Sequence, residues 1–171
     1  TGGLPASLRP PAEGPRSGGR KPTYLYINSE NAYVLAVSIG VRETIYAVSD
    51  FNGRILKEKA LLTKEGDPTS FLQHLAKEIK NMIKTSYPRV NFAAVGVSVP
   101  GLIKRDTGKV IVSPNLGWNN LPVKAILEKE LELPIYVEND ANAAAYSELW
   151  YGPLDEIKVK TLLYILVVDG L

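Results

Sequence analysis

Glu138, Asn139 and Asp140 follow a short apolar run, Ile135-Tyr136-Val137, and lead straight into Ala141-Asn142-Ala143-Ala144-Ala145. A carboxylate and an amide thus leave a buried strand together and enter the first turn of an alanine-rich helix. That turn offers unpaired N–H donors and favours negative charge. An Asp in such a place can take a proton from a substrate hydroxyl, and the neighbouring Asn supplies both a donor and an acceptor. The alternative is structural: Asn139 or Asp140 caps the helix and does nothing else. Three further segments carry residues suited to ligand contact. Pro100-Gly101 ends a strand sharply, either to expose backbone N–H groups or as an ordinary turn. Ser113-Pro114-Asn115-Leu116-Gly117-Trp118 places an amide and an indole together, either to meet a sugar or to close a Trp over the core. The glycine turn at Gly40 is a weaker phosphate-binding candidate, and His74 falls off the apolar stripe of its helix, toward solvent.

Open α/β sheets place their ligands at the carboxyl ends of strands, and four such ends here carry polar or glycine-rich turns: Ser38 to Arg42, Ser98 to Leu102, Val137 to Ala141 and Val168-Asp169-Gly170. Tyr33 to Ile39 and Thr44 to Ser49 are rich in apolar and β-branched residues; Asp50-Phe51-Asn52-Gly53 is a hairpin turn, and Arg54 to Leu62 returns. A shorter strand is expected at Tyr24 to Ile27. Asp67-Pro68 opens a helix whose Leu72, Leu75, Ile79, Met82 and Ile83 repeat at helical spacing to about Ser86. Phe92 to Val99 is an almost unbroken apolar run, the pattern of a strand covered on both faces. A short strand at Val110 to Val112, a helix from Pro122 bearing Val123, Ile126, Leu127 and Leu131, the strand Ile135 to Val137, and a helix stopped by Gly152-Pro153 follow. Thr161 to Val168 reads as a last strand. The order β-β-β-α-β-(β)-α-β-α-β predicts an α/β fold with a mixed sheet.

Composition narrows the chemistry. The chain has 171 residues, no cysteine and one histidine, which excludes a disulfide framework and thiolate-held metal within these residues. No apolar run reaches membrane-spanning length, and Thr1 to Pro22 has no continuous apolar stretch of the signal-peptide kind. A soluble cytoplasmic protein with no membrane partner is the expectation. Residues 1–22 hold Arg9, Arg16, Arg20 and Lys21 against Glu13 alone, with most of the early glycines and prolines. They read as a flexible basic linker. The remaining residues carry 16 basic and 17 acidic side chains, so their net charge gives no nucleic-acid footprint.

Together, Val95-Gly96-Val97-Ser98-Val99-Pro100-Gly101, the Ser113 to Trp118 segment and Val137-Glu138-Asn139-Asp140-Ala141-Asn142 resemble the ROK family of repressors, open reading frames and kinases in order and spacing. The resemblance runs from about Gly19 to the end and implies an actin-like ATPase (ribonuclease H-like) lobe over residues 23–171. It implies that Asp140 occupies the general-base position of the sugar kinases, receiving the proton of the hydroxyl that attacks the γ-phosphate of ATP. Asn139, Gly101 and Asn115 would line the same sugar pocket. The first phosphate motif of family kinases, Asp-x-Gly-Gly-Thr, reads Ser38-Ile39-Gly40-Val41-Arg42 here. The residue that organises magnesium is therefore uncharged, and bulk stands where backbone should approach phosphate.

Ser17-Gly18-Gly19-Arg20-Lys21-Pro22 and Tyr24 to Asn28 resemble the junction that, in the repressor branch, follows a winged helix-turn-helix. The family's second lobe and its cysteine/histidine zinc motif would lie beyond Leu171. The leading expectation is the sugar-sensing lobe of a transcriptional regulator, meeting DNA only through a helix-turn-helix domain this chain lacks and holding no cofactor or metal of its own. The alternative is an ATP- and magnesium-dependent sugar kinase of the hexokinase or glucokinase type, with Asp140 as base. A third reading is an inert fragment or an interaction module, self-associating into a homo-oligomer through its cleft face.

Overall fold

The computed structural model describes residues 33–63, 66–152 and 161–166. The expected linker over residues 1–22 and the expected strand at Tyr24 to Ile27 lie outside them. Three strands come first: β1 (Tyr33–Ile39), β2 (Glu43–Asp50) and β3 (Ile55–Leu62), then α1 (Pro68–Ser86) and β4 (Phe92–Val99). A small hairpin follows, β5 (Leu102–Lys104) and β6 (Lys109–Ser113), then a single 3-10 turn at Pro114–Leu116 and β7 (Trp118–Leu121). The described chain continues through α2 (Val123–Leu131), β8 (Ile135–Asn139) and α3 (Asp140–Tyr151).

The main sheet has the order β3-β2-β1-β4-β8. β1, β2 and β3 pair antiparallel, and the Asn52-Gly53 turn, with Gly53 at φ 79°, joins β2 to β3. β4 joins β1 in parallel and β8 joins β4 in parallel, so the sheet is mixed as expected. Crossing from β1 to β4 without reversal requires a connection long enough to hold a helix, and α1 supplies it. Its start is fixed by the Asp67 carboxylate, which accepts from the Thr69 and Ser70 backbone N–H groups, and by the proline that follows.

One face of this sheet makes the core. Leu35, Val37 and Ile39 of β1, Val95, Val97 and Val99 of β4, and Ile135 and Val137 of β8 point the same way. They meet Phe71, Leu72, Leu75, Ile79 and Met82 of α1 and Val123, Leu127 and Leu131 of α2. Burying a side chain of this size contributes about 1.5–3 kcal/mol relative to leaving it in water, so this layer carries the fold. His74 sits half-buried on α1 rather than out in solvent.

Three further readings of the sequence are corrected. Phe92–Val99 is not covered on both faces among the described residues: Gly96 is exposed, and Ala94 and Ser98 are only half-buried. The continuous apolar run came from small residues on the outward face, not from a second packed layer. Of the expected strand Thr161 to Val168, residues 161–166 adopt no strand and Leu163 and Ile165 are exposed, while Val167 and Val168 lie outside the described residues; no described strand pairs with 161–166, and an apolar run without a partner edge has no ladder to join. Finally, the single optional strand around Val110 to Val112 is one member of a separate three-stranded sheet, β5-β6-β7.

Candidate functional site

The carboxyl ends of β1, β4 and β8 lie side by side. Ser38 is in register with Ser98, and Ser98 with Glu138; the next position pairs Val99 with Asn139. Strand alternation therefore points Val137 into the core and Glu138 to the opposite face, while Asn139 ends the strand at the helix entrance.

Asn139 is the cap of α3. Its Oδ1 accepts from the Asn142 backbone N–H at 3.1 Å. Its amide nitrogen donates to the Gly101 carbonyl at 2.9 Å and to Asp140 Oδ1 at 3.0 Å. Both amide hydrogens are thus engaged, and what Asn139 can still offer a ligand is an acceptor lone pair. Asp140, the first residue of the helix, also receives the Ala141 N–H on Oδ1 at 2.9 Å. Among the described residues its other oxygen, Oδ2, accepts nothing, and the side chain is half-exposed. The two readings of this pair divide between the residues: Asn139 does the capping, which leaves Asp140 with an oxygen available to a hydroxyl.

Gly101 belongs to the same junction. Its φ is 123°, a region L side chains rarely adopt, and a Cβ there would run into the Val112 carbonyl and Ser113. Only glycine lets β4 turn this tightly into the small sheet. Asn115 follows Ser113 by two residues, exposed on the 3-10 turn; no hydrogen bond joins it to Asn139 or Asp140. Trp118, open to either reading in the sequence, closes over the core: it is 5% exposed and stacks obliquely on Phe71, ring centroids 6.2 Å apart.

Sequence reasoning missed Arg105, in the β5–β6 turn. Its Nε meets Glu138 Oε2 at 2.6 Å, and its Nη2 donates to the Tyr146 hydroxyl at 3.2 Å. Glu138 Oε1 in turn accepts from the Asn139 N–H at 2.8 Å and from Asn142 Nδ2 at 3.1 Å. Burial pushes the Glu138 carboxyl up, but the donors from Asn142, Asn139 and Arg105 outweigh it and hold the group below the ordinary glutamate range. The Tyr146 hydroxyl, then the Glu138 charge, push Arg105 further up. No short motif signals this cluster, because Arg105 and Glu138 meet only through the fold.

The turn at Gly40 stands at the same end of the sheet but is closed on itself. The Gly40 N–H donates to the Glu43 carbonyl at 2.9 Å, and Thr63 Oγ1 donates to the Gly40 carbonyl at 2.8 Å. With its N–H engaged and an exposed, uncharged Ser38 beside it, this turn does not fit a magnesium-bound phosphate chain. Glu138, the carboxylate in the same register row, already faces Arg105. Among the described residues no three His, Cys, Asp or Glu side chains cluster as a metal site, and no helix is long and apolar enough to cross a membrane.

The model of the ROK family matches residues 34–171. The chain belongs to the ROK family. A xylose repressor of Caldicellulosiruptor bescii is 32% identical over 160 residues, which span 92% of this chain and 40% of the repressor. Among solved structures, a ROK family transcriptional regulator homologous to the E. coli MLC protein superposes with a TM-score of 0.67 at 24% identity, covering 72% of this chain and 32% of that one. A ROK family glucokinase from Streptomyces griseus, in complex with glucose and AMPPNP, superposes with a TM-score of 0.59 at 29% identity, over 70% of this chain and 37% of the kinase. The ROK neighbours have the actin-like ATPase fold, and the described lobe shares it. The chain spans about two fifths of the length of the curated relatives it matches.

Proposed function

We propose that this chain is the sugar-sensing first lobe of a ROK transcriptional regulator. A sugar hydroxyl would donate to Asp140 Oδ2, and Gly101 and Asn115 would border the same pocket. Asn139 would hold the corner in shape and offer its remaining lone pair. Binding would act by favouring one arrangement of the lobe and its surroundings over another, which a DNA-binding domain of the whole protein would read. The supporting observation is a mismatch at one end of the sheet: an Asp140 oxygen without a partner among the described residues, and, at the end of β1, a glycine turn unsuited to phosphate and magnesium. A sugar site without a working phosphate site suits sensing rather than transfer. The match to xylose repressors over nine tenths of the chain points the same way.

Isothermal titration of the full-length protein with pentoses, hexoses and amino sugars, D-xylose first, tests this reading. Saturable heat with one sugar, lost in Asp140→Asn, is the expected result, and silence across the panel overturns it. The relatives that are glucokinases sustain a second reading, an ATP-dependent sugar kinase with Asp140 as general base. A coupled ADP-release assay separates the two: robust turnover abolished by Asp140→Asn would replace the regulator by the kinase.

A further inference from the structure

The β5–β6 hairpin is fastened to the entrance of α3 at two points. At its base, the Gly101 carbonyl accepts from Asn139 Nδ2; at its turn, Arg105 reaches Glu138 and Tyr146. Glu138 divides its carboxylate between the two sides. Oε2 faces Arg105, while Oε1 receives the Asn139 N–H and Asn142 Nδ2. From these contacts we infer that Arg105 is a positioning residue for sugar recognition, holding Asn139 and Asp140 in register through Glu138. The inference rests on the sugar-sensing reading above and adds to it a residue outside the pocket-lining set.

Magnitudes decide against a stabilising role. The Arg105 side chain is 56% exposed, and ion pairs at such exposure contribute little to folding. What the pair fixes is geometry. Glu138 is bonded to the peptide that begins the helix, so a shift of its carboxylate is a shift of the Asn139 backbone and of the Asp140 side chain that follows. Displacements of an ångström at a recognising group weaken its contacts out of proportion to the energy of the interaction that was lost. The residue type matters as well. The planar guanidinium serves a carboxylate through Nε and a phenol through Nη2 at once, and its carbon lies 5.8 Å from the Tyr146 ring centroid. A lysine ammonium keeps the charge but not that double attachment.

The experiment compares full-length wild type, Arg105→Ala, Arg105→Lys, Glu138→Gln and the double variant Arg105→Ala/Glu138→Gln. Each is titrated with D-xylose and D-glucose, its thermal midpoint is recorded, and the Asn139 amide resonance is followed by NMR. Arg105→Ala should weaken sugar binding about fivefold or more, as a mispositioned first-turn carboxylate would. Its thermal midpoint should stay within about 2 °C of wild type, as for an exposed ion pair, while the Asn139 resonance moves. Arg105→Lys should recover part of the affinity, and the double variant should bind no worse than the weaker single one, because both changes break one chain of contacts. Wild type that binds while Arg105→Ala binds equally well overturns the inference and leaves the sugar reading standing. Affinity that follows the thermal midpoint rather than the Asn139 resonance also overturns it. Wild type that binds neither these sugars nor any other in the panel removes the sugar reading and this inference together.

Discussion

On one face of the main sheet, α1 and α2 bury Leu72, Leu75, Ile79, Met82, Val123 and Leu127 completely. On the other, α3 buries none of its residues, and Tyr136, Tyr146 and Trp150 remain exposed. The first face is held by apolar area. The second is held by named polar contacts: the Asn139 cap, the Glu138 carboxylate and Arg105. The two helical layers therefore divide the work. Stability resides where nothing polar is needed, and the proposed recognition site lies where hydrogen-bonding groups stay exposed.

The largest effect that tests this division is on the closed face. Leu75→Ala should cost about 2–5 kcal/mol in urea unfolding, whereas Trp150→Ala should stay within about 0.5 kcal/mol. Equal costs would erase the contrast. Next comes Gly101→Ala, which forces a side chain into a left-handed backbone and against Val112 and Ser113; strain of this kind is worth about 1–3 kcal/mol. That change should lower the unfolding midpoint and weaken sugar binding together, since Gly101 serves both sheets. Asp140→Asn should leave urea stability nearly unchanged while weakening sugar affinity tenfold or more, because hydrogen bonds to a charged group contribute about 1.5–3 kcal/mol.

The smallest expected effect is acid sensitivity. Glu138 sits below the ordinary glutamate range in the folded protein, so its contribution is complete at neutral pH and at every pH above the unfolded value. It is lost as pH falls through the lowered folded value, where protonation frees Arg105. Protection of the Asn139 and Asn142 amides, measured relative to the slower intrinsic exchange at acid pH, should therefore fall on acidification before that of the β4 core amides does. Glu138→Gln should remove the effect.

How much of this was legible beforehand follows from the range of the forces involved. α1 was readable because its signals are local: a capping Asp67, a proline one residue on, and an apolar repeat at helical spacing. β1, β2 and β3 were readable from β-branched runs and one Asn-Gly turn. β7 was not, because Trp118-Asn119-Asn120-Leu121 carries two asparagines that strands disfavour, and its order comes from pairing with β6. β5 is three residues long, too short for any period. The second covering of β4 was misjudged for the same reason that residues 161–166 were: apolar character says a segment can be buried and leaves open what buries it. At the candidate site, Asn139 and Asp140 stand out in the sequence by their place between a strand and a helix, but which of them caps is decided by the fold, through the Asn142 N–H that meets Asn139 Oδ1. Arg105 left no trace, since a contact between residues 33 positions apart is written by topology alone.

The position of β8 in the sheet carries a mechanical consequence. Among the described residues it pairs only with β4, at the margin of the main sheet, and the helix it launches is moored by a few polar tethers. That helix can tilt at its entrance while Ile135 and Val137 of β8 stay in the core, because none of the helix's own residues is buried. A small molecule that bridges it to the hairpin would therefore act as a splint at the periphery, damping a local motion that any neighbouring part of the polypeptide could feel.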